Sequence, residues 1–205
     1  MPFYAIDGIS PVVDPTSFVH PTASLIGDVV VGPGCYIGPG ASLRGDFGRI
    51  VMKSGSNFQD GCVAHSFPGM DATIEENSHV GHGAVLHGCT VGRHALIGMN
   101  AVVMDGAVVG ESAFVGAMTF IKAGFDVPAR HLVQGVPGRV LRPLTPQEID
   151  WMHEGTRVYQ ELARRCLASF KEVTPLSAPE QNRRRLNVGP IQPLYKAKSN
   201  GERTG

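Results

Sequence analysis

Residues 89–121 read CTVGRHALIGMNAVVMDGAVVGESAFVGAMTFI, and a branched aliphatic residue recurs there at every sixth position. The recurring residues are Val91, Ile97, Val103, Val109, Val115 and Ile121. Two positions before each of them lies a residue that is nearly always small: Cys89, Ala95, Ala101, Ala107, Ala113 and Thr119. A strict six-residue repeat of this kind predicts a parallel β-helix, in which three hexapeptides close one triangular coil.

The repeat has a geometric cause. In each hexapeptide a short strand points its aliphatic side chain into a narrow core, and only a small side chain fits beside the corner. Gly follows the aliphatic residue at Val91, Ile97 and Val109, where it relieves the turn. One coil cannot bury its own apolar face, so coils stack about 4.8 Å apart. A β-sandwich would instead show turn signals roughly every 8–12 residues, and we therefore predict an all-β solenoid.

The same frame runs upstream in steps of six from Val13 to Leu43. It is interrupted around RGDFGR (44–49), where Leu43 and Val51 lie eight residues apart instead of six. The segment HSFPGMDAT (65–73) makes a second interruption. Interruptions leave the regular surface of a solenoid and commonly carry function. We predict a β-helix domain over residues 1–143.

After residue 143 the pattern changes. Thr145-Pro146-Gln147-Glu148 is typical of a helix start, with Thr as N-cap, Pro first and Glu three residues after the cap. The apolar stripe that follows consists of Ile149, Met152, Tyr159, Leu162, Cys166 and Phe170. We predict a helix over 144–173 packed alongside the β-helix, weakened or bent at Gly155. Residues 174–205, rich in Pro, Arg and Lys, are predicted to be an irregular tail whose last stretch is disordered.

Composition narrows the function classes. The 205 residues suffice for one domain with a sizeable core, and the formal net charge is zero. The sequence has no excess of positive charge with which to bind nucleic acid or an anionic membrane. The start MPFYAIDGIS lacks the features of a signal peptide, and no apolar run approaches the roughly 20 residues of a membrane span. The four cysteines form no CxxC pair, which indicates a reducing, cytoplasmic setting.

Three histidines in the ladder are candidate metal ligands. Val63 and Val80 lie about one coil apart, so counting places His65 and His82 at one edge of adjacent coils, with His87 one facet further round. Three exposed imidazoles on a rigid scaffold match an open zinc site, where three protein ligands leave a position for water. Histidines on two different faces of one chain do not readily bind the same ion. Histidines from two chains that pack face to face can do so. We therefore predict that these histidines bind a metal ion between subunits. The alternative is that they are ordinary polar residues on a solvent-exposed edge.

Polar residues in and near the interruptions are candidates to support such a site. Arg44 and Asp46 can form an ion pair that bridges chains, and a structural salt bridge and a direct chemical role are both open. Gln59 is suited to hydrogen-bond a metal-associated water or a substrate oxygen, with Asp60 orienting it. The other histidines are expected at the surface or, for His79 and His94, in support of the ligands: His20, His79, His94, His131 and His153.

Four segments, ASLRGDFGRIV, NFQDGCVAH, HVGHGAVLHGC and ALIGMNAVVMDGAVVG, resemble the gamma-class carbonic anhydrase family of hexapeptide-repeat proteins. The branch they resemble most acts in phenylacetic acid degradation, and the match extends to about residue 186. The resemblance implies a left-handed parallel β-helix, against the usual right-handed crossover rule. It also implies a homotrimer with a metal at each interface, for which Zn²⁺, Fe²⁺ and Co²⁺ all suit imidazole ligands.

The motifs carry over residue by residue. His65, His82 and His87 match the metal ligands of the family, which takes the equivalents of His65 and His87 from one subunit and that of His82 from its neighbour. This division differs from the pairing that coil counting predicts. The other matched positions are the intersubunit pair Arg44 and Asp46, the active-site pair Gln59 and Asp60, and the polar residue near the metal, Asn100.

The resemblance implies a metal-dependent thioesterase acting on acyl-CoA adducts in phenylacetate and aromatic-acid degradation. Alternatives are a carbonic anhydrase, a non-catalytic trimeric accessory protein with a structural metal, and an acyltransferase, which usually relies on a lone histidine base. Archetypal carbonic anhydrases of the family have a proton-moving Glu directly after the Arg-x-Asp turn, where this chain has Phe47. If the two interruptions meet, Phe47, Phe67 and Met70 are expected to line an apolar mouth for substrate.

Overall fold

The computed structural model describes residues 3–189 and 191–201, which form a left-handed parallel β-helix of about seven coils followed by helical and irregular segments. Its strands are β1 (Phe3–Tyr4), β2 (Val12–Val13), β3 (Phe18–Val19), β4 (Ser24–Val31), β5 (Tyr36–Ile37), β6 (Ser42–Met52), β7 (Asn57–Phe58), β8 (Val63–His65), β9 (Ala72–Ile74), β10 (His79–Val80), β11 (Val85–His87), β12 (Thr90–Val91), β13 (Leu96–Ile97), β14 (Val102–Val103), β15 (Val108–Val109), β16 (Phe114–Val115), β17 (Phe120–Ile121), β18 (Asp126–Val127), β19 (His131–Gln134) and β20 (Arg139–Pro143). The helices are α1 (Pro146–Ser169) and α2 (Leu194–Gly201). The predicted solenoid is confirmed.

Each coil contributes one strand to each of three faces, and strands pair in parallel with those one coil away. The helix face consists of β3, β5, β7, β10, β13, β16 and β19, with β20 pairing antiparallel to β19. The histidine face consists of the first halves of β4 and β6 with β8, β11, β14 and β17. The third face consists of β2, the second halves of β4 and β6, β9, β12, β15 and β18.

The six-residue frame fills the core as predicted. The aliphatic residues of the frame from Val91 to Ile121 are at most 1% exposed, and the alanines two positions before them are equally buried. Burying a side chain of this size contributes roughly 1.5–3 kcal/mol. Three of the four cysteines lie in the same core, and burial raises the pKa of the Cys89 thiol to about 12. These thiols therefore serve as small apolar core residues.

The first interruption differs from its prediction. Residues 44–49 were expected to leave the regular surface, but they lie inside the continuous strand β6, which turns the corner between the histidine face and the third face. The extra residues are absorbed by a register irregularity against β4 between Gly27 and Val29. Gly45 is needed there, because a β-carbon at this position would collide with the backbone carbonyl of Asp28. The second interruption does form a loop, between β8 and β9.

Coil counting gave the wrong histidine pair. Val63 pairs with Val85 rather than lying one coil from Val80, so His65 lies directly opposite His87. The loop after His65 lengthens this coil, so His65 and His87 are 22 residues apart, whereas Val85 and its partner Val102 in the next coil are 17 apart. His82 lies in the turn between β10 and β11, at a different corner of the prism.

Helix α1 packs along the helix face and begins as predicted. The Thr145 hydroxyl accepts from the Glu148 amide while the Glu148 carboxylate accepts from the Thr145 amide. Ile149 and Met152 are buried against Leu96 of the helix face. The helix ends at Ser169, four residues before the predicted end, and residues 170–189 are irregular.

The predicted irregular tail is interrupted by a second helix, α2, which the sequence analysis missed. The tail lies near α1, since the Trp151 indole donates to the Gln192 carbonyl at 2.8 Å. The final residues that were expected to be disordered, 202–205, lie outside the described residues. Neither described helix combines the length and apolarity required to cross a bilayer.

Candidate metal centre

Two of the three predicted ligands meet at one corner. His65 ends β8 and His87 ends β11, where the histidine face turns into the third face. The Nδ1 atom of His65 lies 3.2 Å from the Nε2 atom of His87, and the rings are inclined at 62°. We refer to this pair as the His65–His87 corner.

A carboxylate fixes the tautomer of each ring. The Nε2–H of His65 donates to Asp46 Oδ1 at 2.9 Å, and the Nδ1–H of His87 donates to Asp105 Oδ1 at 2.5 Å. A neutral imidazole has one donor and one acceptor nitrogen. The facing nitrogens, His65 Nδ1 and His87 Nε2, are therefore both lone-pair acceptors. In two neutral rings these lone pairs face and repel each other, and either a shared proton or a bound metal ion relieves the repulsion.

The spacing of these nitrogens suits a metal ion. Two nitrogens each about 2.0–2.1 Å from a tetrahedral Zn²⁺ lie about 3.3 Å apart, close to the 3.2 Å found between His65 and His87. Histidine ligands of metals almost always donate their other N–H to a carboxylate or carbonyl, which orients the ring and raises its basicity. The donor set at this corner therefore fits two ligands of a divalent transition metal.

Asp105 was missed by the sequence analysis. It follows β14 in an Asp-Gly turn, and 18 residues separate it from His87, which is one regular coil. A step of 18 residues, three hexapeptides, from His87 was the signal that could have identified it.

Arg44 and Asp46 form an ion pair within this chain, with Arg44 Nη1 2.7 Å from Asp46 Oδ2. Burial alone would raise the pKa of Asp46, but hydrogen bonds from Arg44 and His65 outweigh it, so the pKa lies below its usual value. The carboxylate thus stays charged and keeps accepting from His65. Arg44 is partly exposed, which leaves its other guanidinium nitrogens accessible.

His82 lies at the next corner, between the helix face and the histidine face. Its Nδ1–H donates to Asp60 Oδ2 at 2.9 Å, and its Nε2 atom is 3.5 Å from the Tyr159 hydroxyl. Asp60, His82 and Asn100 occupy the same turn in successive coils, since the amide of Asn100 donates to the carbonyl of His82 and that of Gly83 to Asp60. We call this stack the His82 corner.

The structure separates the predicted pair Gln59 and Asp60. Asp60 is half-exposed beside His82, whereas Gln59 is only 2% exposed and lies beneath α1. The Gln59 amide nitrogen is 2.9 Å from Asn57 Oδ1 and 2.7 Å from His79 Nε2. His79 is accordingly not a surface residue. Burial and then the neighbouring His82 lower the pKa of His79 to about 4, so its ring is neutral at pH 7.

The residues predicted to line a mouth lie at the His65–His87 corner. The Phe47 ring centroid is 5.3 Å from that of His65, and the Phe67 centroid is 5.2 Å from that of His87. Both phenylalanines are more than half exposed. Met70 closes the turn that begins at Phe67, and a β-carbon on Gly48 would collide with the Met70 carbonyl. The two interruptions therefore do meet beside the histidines.

The other histidines lie away from these corners. His94 packs against His153 of α1 with ring centroids 4.4 Å apart, a pairing that the sequence did not indicate. Burial and His153 lower the pKa of His94. Within residues 3–189 and 191–201 of a single chain, no three His, Cys, Asp or Glu side chains converge as a metal site. A three-histidine centre that includes the His65–His87 corner would therefore need its third histidine from another chain.

Known proteins resemble this chain over most of its length. Residues 71–103 and 88–123 match the family described as bacterial transferase hexapeptide (six repeats). The carnitine operon protein CaiE of Salmonella typhimurium is 57% identical over 186 residues, which covers 91% of this chain and 94% of that protein.

Two solved structures share the fold. A hexapeptide transferase family protein from Anaplasma phagocytophilum superposes with a TM-score of 0.77 at 36% identity, covering 80% of this chain and 96% of that one. A proposed acetyltransferase from Bacillus cereus superposes with a TM-score of 0.80 at 31% identity, covering 81% of this chain and 96% of that one. With its six-residue frame, its β-helix and these relatives, the chain belongs to the bacterial transferase hexapeptide family.

Proposed function

We propose that this protein is a metal-dependent thioesterase that hydrolyses acyl-CoA, with an active site between subunits of a homotrimer. His65 and His87 of one subunit and His82 of its neighbour would hold Zn²⁺, Fe²⁺ or Co²⁺. The observation that carries the proposal is the pair of imidazole nitrogens 3.2 Å apart whose hydrogen-bonded carboxylates leave both as acceptors. A divalent cation satisfies both lone pairs.

The placement of His82 supports a shared site. Its Nδ1–H is held by Asp60, so its Nε2 is the acceptor nitrogen, and its side chain is 46% exposed. All three proposed ligands thus have a carboxylate partner, as metal-binding histidines commonly do. Because His82 lies at a different corner from the other two, closed packing around a threefold axis is the simple way to unite them.

Thioester hydrolysis adds water across the bond between the acyl carbon and sulfur. The acyl carbon gains the oxygen and leaves as a carboxylic acid, and the CoA sulfur takes a proton and leaves as a thiol. A bound divalent ion supplies Lewis acidity and makes water nucleophilic near neutral pH. Asp46, Asp60 and Asp105 hold the three imidazoles in the required tautomers, and Asp60 is exposed enough to orient a water molecule.

The surroundings of the His65–His87 corner favour a substrate with a large apolar acyl group over carbon dioxide. Phe47 and Phe67 present exposed rings beside the two histidines. Carbon dioxide hydration must export a proton on every turnover and benefits from a carboxylate at the mouth, where this chain has Phe47. Carbonic anhydrase activity is therefore the weaker alternative, and a structural metal in an accessory protein is the non-catalytic one.

The sequence motifs also resemble the phenylacetic acid degradation protein PaaY, for which the corresponding substrate would be phenylacetyl-CoA or a related aromatic adduct. The 57% identical relative CaiE is named for the carnitine operon and not for phenylacetate degradation. The relative described as a proposed acetyltransferase favours acyl transfer to an amine or alcohol as a second candidate.

One set of assays separates these functions. The purified protein is stripped with a chelator, reloaded with Zn²⁺ or Co²⁺, and assayed for thiol release from phenylacetyl-CoA without any acceptor and for carbon dioxide hydration. We expect metal-dependent thiol release and weak hydration by a trimer. Thiol release only when an amine or alcohol acceptor is added would favour the transferase, and no turnover of either substrate would favour the accessory protein.

A further inference from the structure

A cavity of about 410 Å³ lies between α1 and the helix face and opens at the His82 corner. Its walls are mainly apolar: Leu96, Phe114, Trp151, Met152, Val158 and Ile191. Protein interiors contain few voids larger than a water molecule, whereas ligand sites commonly enclose about 300–1,000 Å³ of mostly apolar surface. A space of this size and lining is therefore characteristic of a ligand site.

One end of the cavity is polar. His82, Gln59, His79 and Tyr159 all line it. The Gln59 amide is engaged with Asn57 and His79, while the Nε2 atom of His82 faces the Tyr159 hydroxyl at 3.5 Å. An apolar group in the cavity would thus lie with one end against a proposed metal ligand.

Helix α1 keeps this space open with a glycine. Gly155 lies in the interior of α1, where glycine is one of the poorest helix formers. Its backbone faces the cavity, and a β-carbon there would meet only the His79 ring, at 3.9 Å. Alanine would fit and strengthen the helix, so the absence of a side chain serves the cavity and not the packing.

The tail supplies an outer wall. Ile191 lines the cavity, and the segment is fastened to α1 by the Trp151 indole donating to Gln192 and by the Gln147 amide donating to the Ala197 carbonyl at 3.0 Å. Among the described residues that line the cavity there is no Lys or Arg. It is therefore suited to a hydrocarbon or aromatic group and not to the phosphates of CoA.

We propose that this cavity binds the apolar acyl group of the thioester, with the tail around Ile191 as its cover. The inference rests on the proposed hydrolysis for the identity of the ligand as an acyl-CoA. The acyl group enters from the His82 corner, its carbonyl stays beside His82, and the CoA moiety remains outside. The size of the cavity then sets which acyl chains the enzyme accepts.

Trp151, the single tryptophan of the chain, reports directly on occupancy. The metal-loaded protein is titrated with phenylacetate, the free acid, while indole fluorescence is followed. Thiol release is measured separately with phenylacetyl-CoA and acetyl-CoA. We expect saturable fluorescence change with phenylacetate, none with acetate, and a preference for phenylacetyl-CoA in kcat/KM.

Gly155→Leu fills the cavity from α1 and should lower the kcat/KM ratio of phenylacetyl-CoA over acetyl-CoA by about tenfold or more, since each lost methylene-sized contact is worth roughly 10–200-fold. Gly155→Ala fits at ordinary contact distance and should lower the same kcat/KM ratio a few-fold. This variant tests the proposal if Gly155→Leu does not fold. Ala168→Leu, an exposed position of the same helix, is the matched control and should change nothing.

Failure of this inference differs from failure of the hydrolase proposal. If phenylacetyl-CoA is hydrolysed while phenylacetate leaves Trp151 fluorescence unchanged and folded Gly155 variants keep the wild-type selectivity, the acyl cavity is wrong and the hydrolase stands. If neither thioester is hydrolysed but phenylacetate binding is saturable and is lost in the Gly155 variants, the cavity stands as an acyl site and the hydrolase is wrong.

Discussion

The two corners that flank the histidine face differ in how many imidazoles they hold and in how exposed these rings are to solvent. At the His65–His87 corner, two rings contact each other and each is held by a carboxylate with little exposure to solvent. At the His82 corner, one ring and its Asp60 partner are both about half exposed. In the proposed metal centre, the first corner would supply two preassembled ligands, whereas the second would present one ligand outward. A centre divided in this way would be complete only when two chains meet, so the proposal predicts that metal binding and assembly are coupled.

The largest effect is expected from removing the single ligand. His82→Ala should abolish stoichiometric metal binding and leave the β-helix folded, because the core consists of the aliphatic ladder and an exposed His contributes little to it. Metal content after dialysis and circular dichroism measure the two properties. Full metal occupancy in His82→Ala, or a stable monomer that holds one metal per chain, would contradict the divided site.

Mixing two inactive variants tests the division itself. His87→Ala trimers and His82→Ala trimers should each lack metal and activity. When the two chains are unfolded together and refolded in equal amounts, about a quarter of the interfaces should combine an intact corner of each kind if the interfaces are heterologous. Thiol release should return to about that fraction. No recovery in well-formed mixed trimers would place all three ligands in one chain.

The carboxylates should differ in importance between the corners. Asp105→Asn replaces the charged acceptor of the His87 Nδ1–H by a neutral amide, which holds the tautomer and the ligand basicity less firmly, and should lower metal affinity by about 10–100-fold. Asp60→Asn should lower it less than tenfold, because this carboxylate is 49% exposed against 16% for Asp105 and water can replace it. Competition titrations with a metal indicator measure both. An equal loss in the two variants would show that exposure does not decide their roles.

Only the His82 corner is backed by a buried neutral histidine, which should make folding pH-dependent. The pKa of His79 is about 4 in the folded protein against 6.5 unfolded, so the unfolded state binds more protons between these values. This contribution to stability is complete above pH 6.5 and is lost as pH falls toward 4. Between pH 7 and 5 the loss is about 2 kcal/mol. Urea unfolding should show that His79→Gln loses less stability than wild type over this range.

The smallest effect concerns the ring that covers the other corner. Phe47→Glu places a carboxylate beside His65 and should raise carbon dioxide hydration relative to thioester hydrolysis by several-fold. Parallel assays on the folded trimer measure the ratio. Phe47→Leu keeps an apolar surface and serves as the control. If Phe47 only packs at a subunit contact, Phe47→Glu will lower stability and both rates together, with the ratio unchanged.

Much of the fold could be predicted because the core of a β-helix is nearly one-dimensional. A side chain at one position of the hexapeptide must point inward whatever the rest of the molecule does, so Val91 and Ile97 could be placed from their spacing alone. The capping box at Thr145 and Glu148 is equally local. The tail helix α2 is weakly patterned and bonds to α1 through distant residues such as Gln147, and no local signal predicted it.

The candidate site was less predictable because it depends on register between coils. Counting paired His65 with His82, since the loop after His65 was not assigned its extra residues. Gln59 reads as an exposed neighbour of Asp60, but α1 folds over it and buries it with His79. Asp105 reads as an ordinary turn residue until the coil above places it on His87.

The sequence by itself thus determined the repeat, the inward-facing residues and the start of α1, because each is set by spacing within a few residues. The resemblance to the family already took His65 and His87 from one subunit, and the tertiary structure showed that these two rings meet. Tertiary structure alone decided that Asp105 holds His87, and that α1 leaves an apolar cavity beside His82. Those features depend on how much chain each loop inserts into a coil and on how a helix packs against a distant face, and neither quantity is encoded in local spacing.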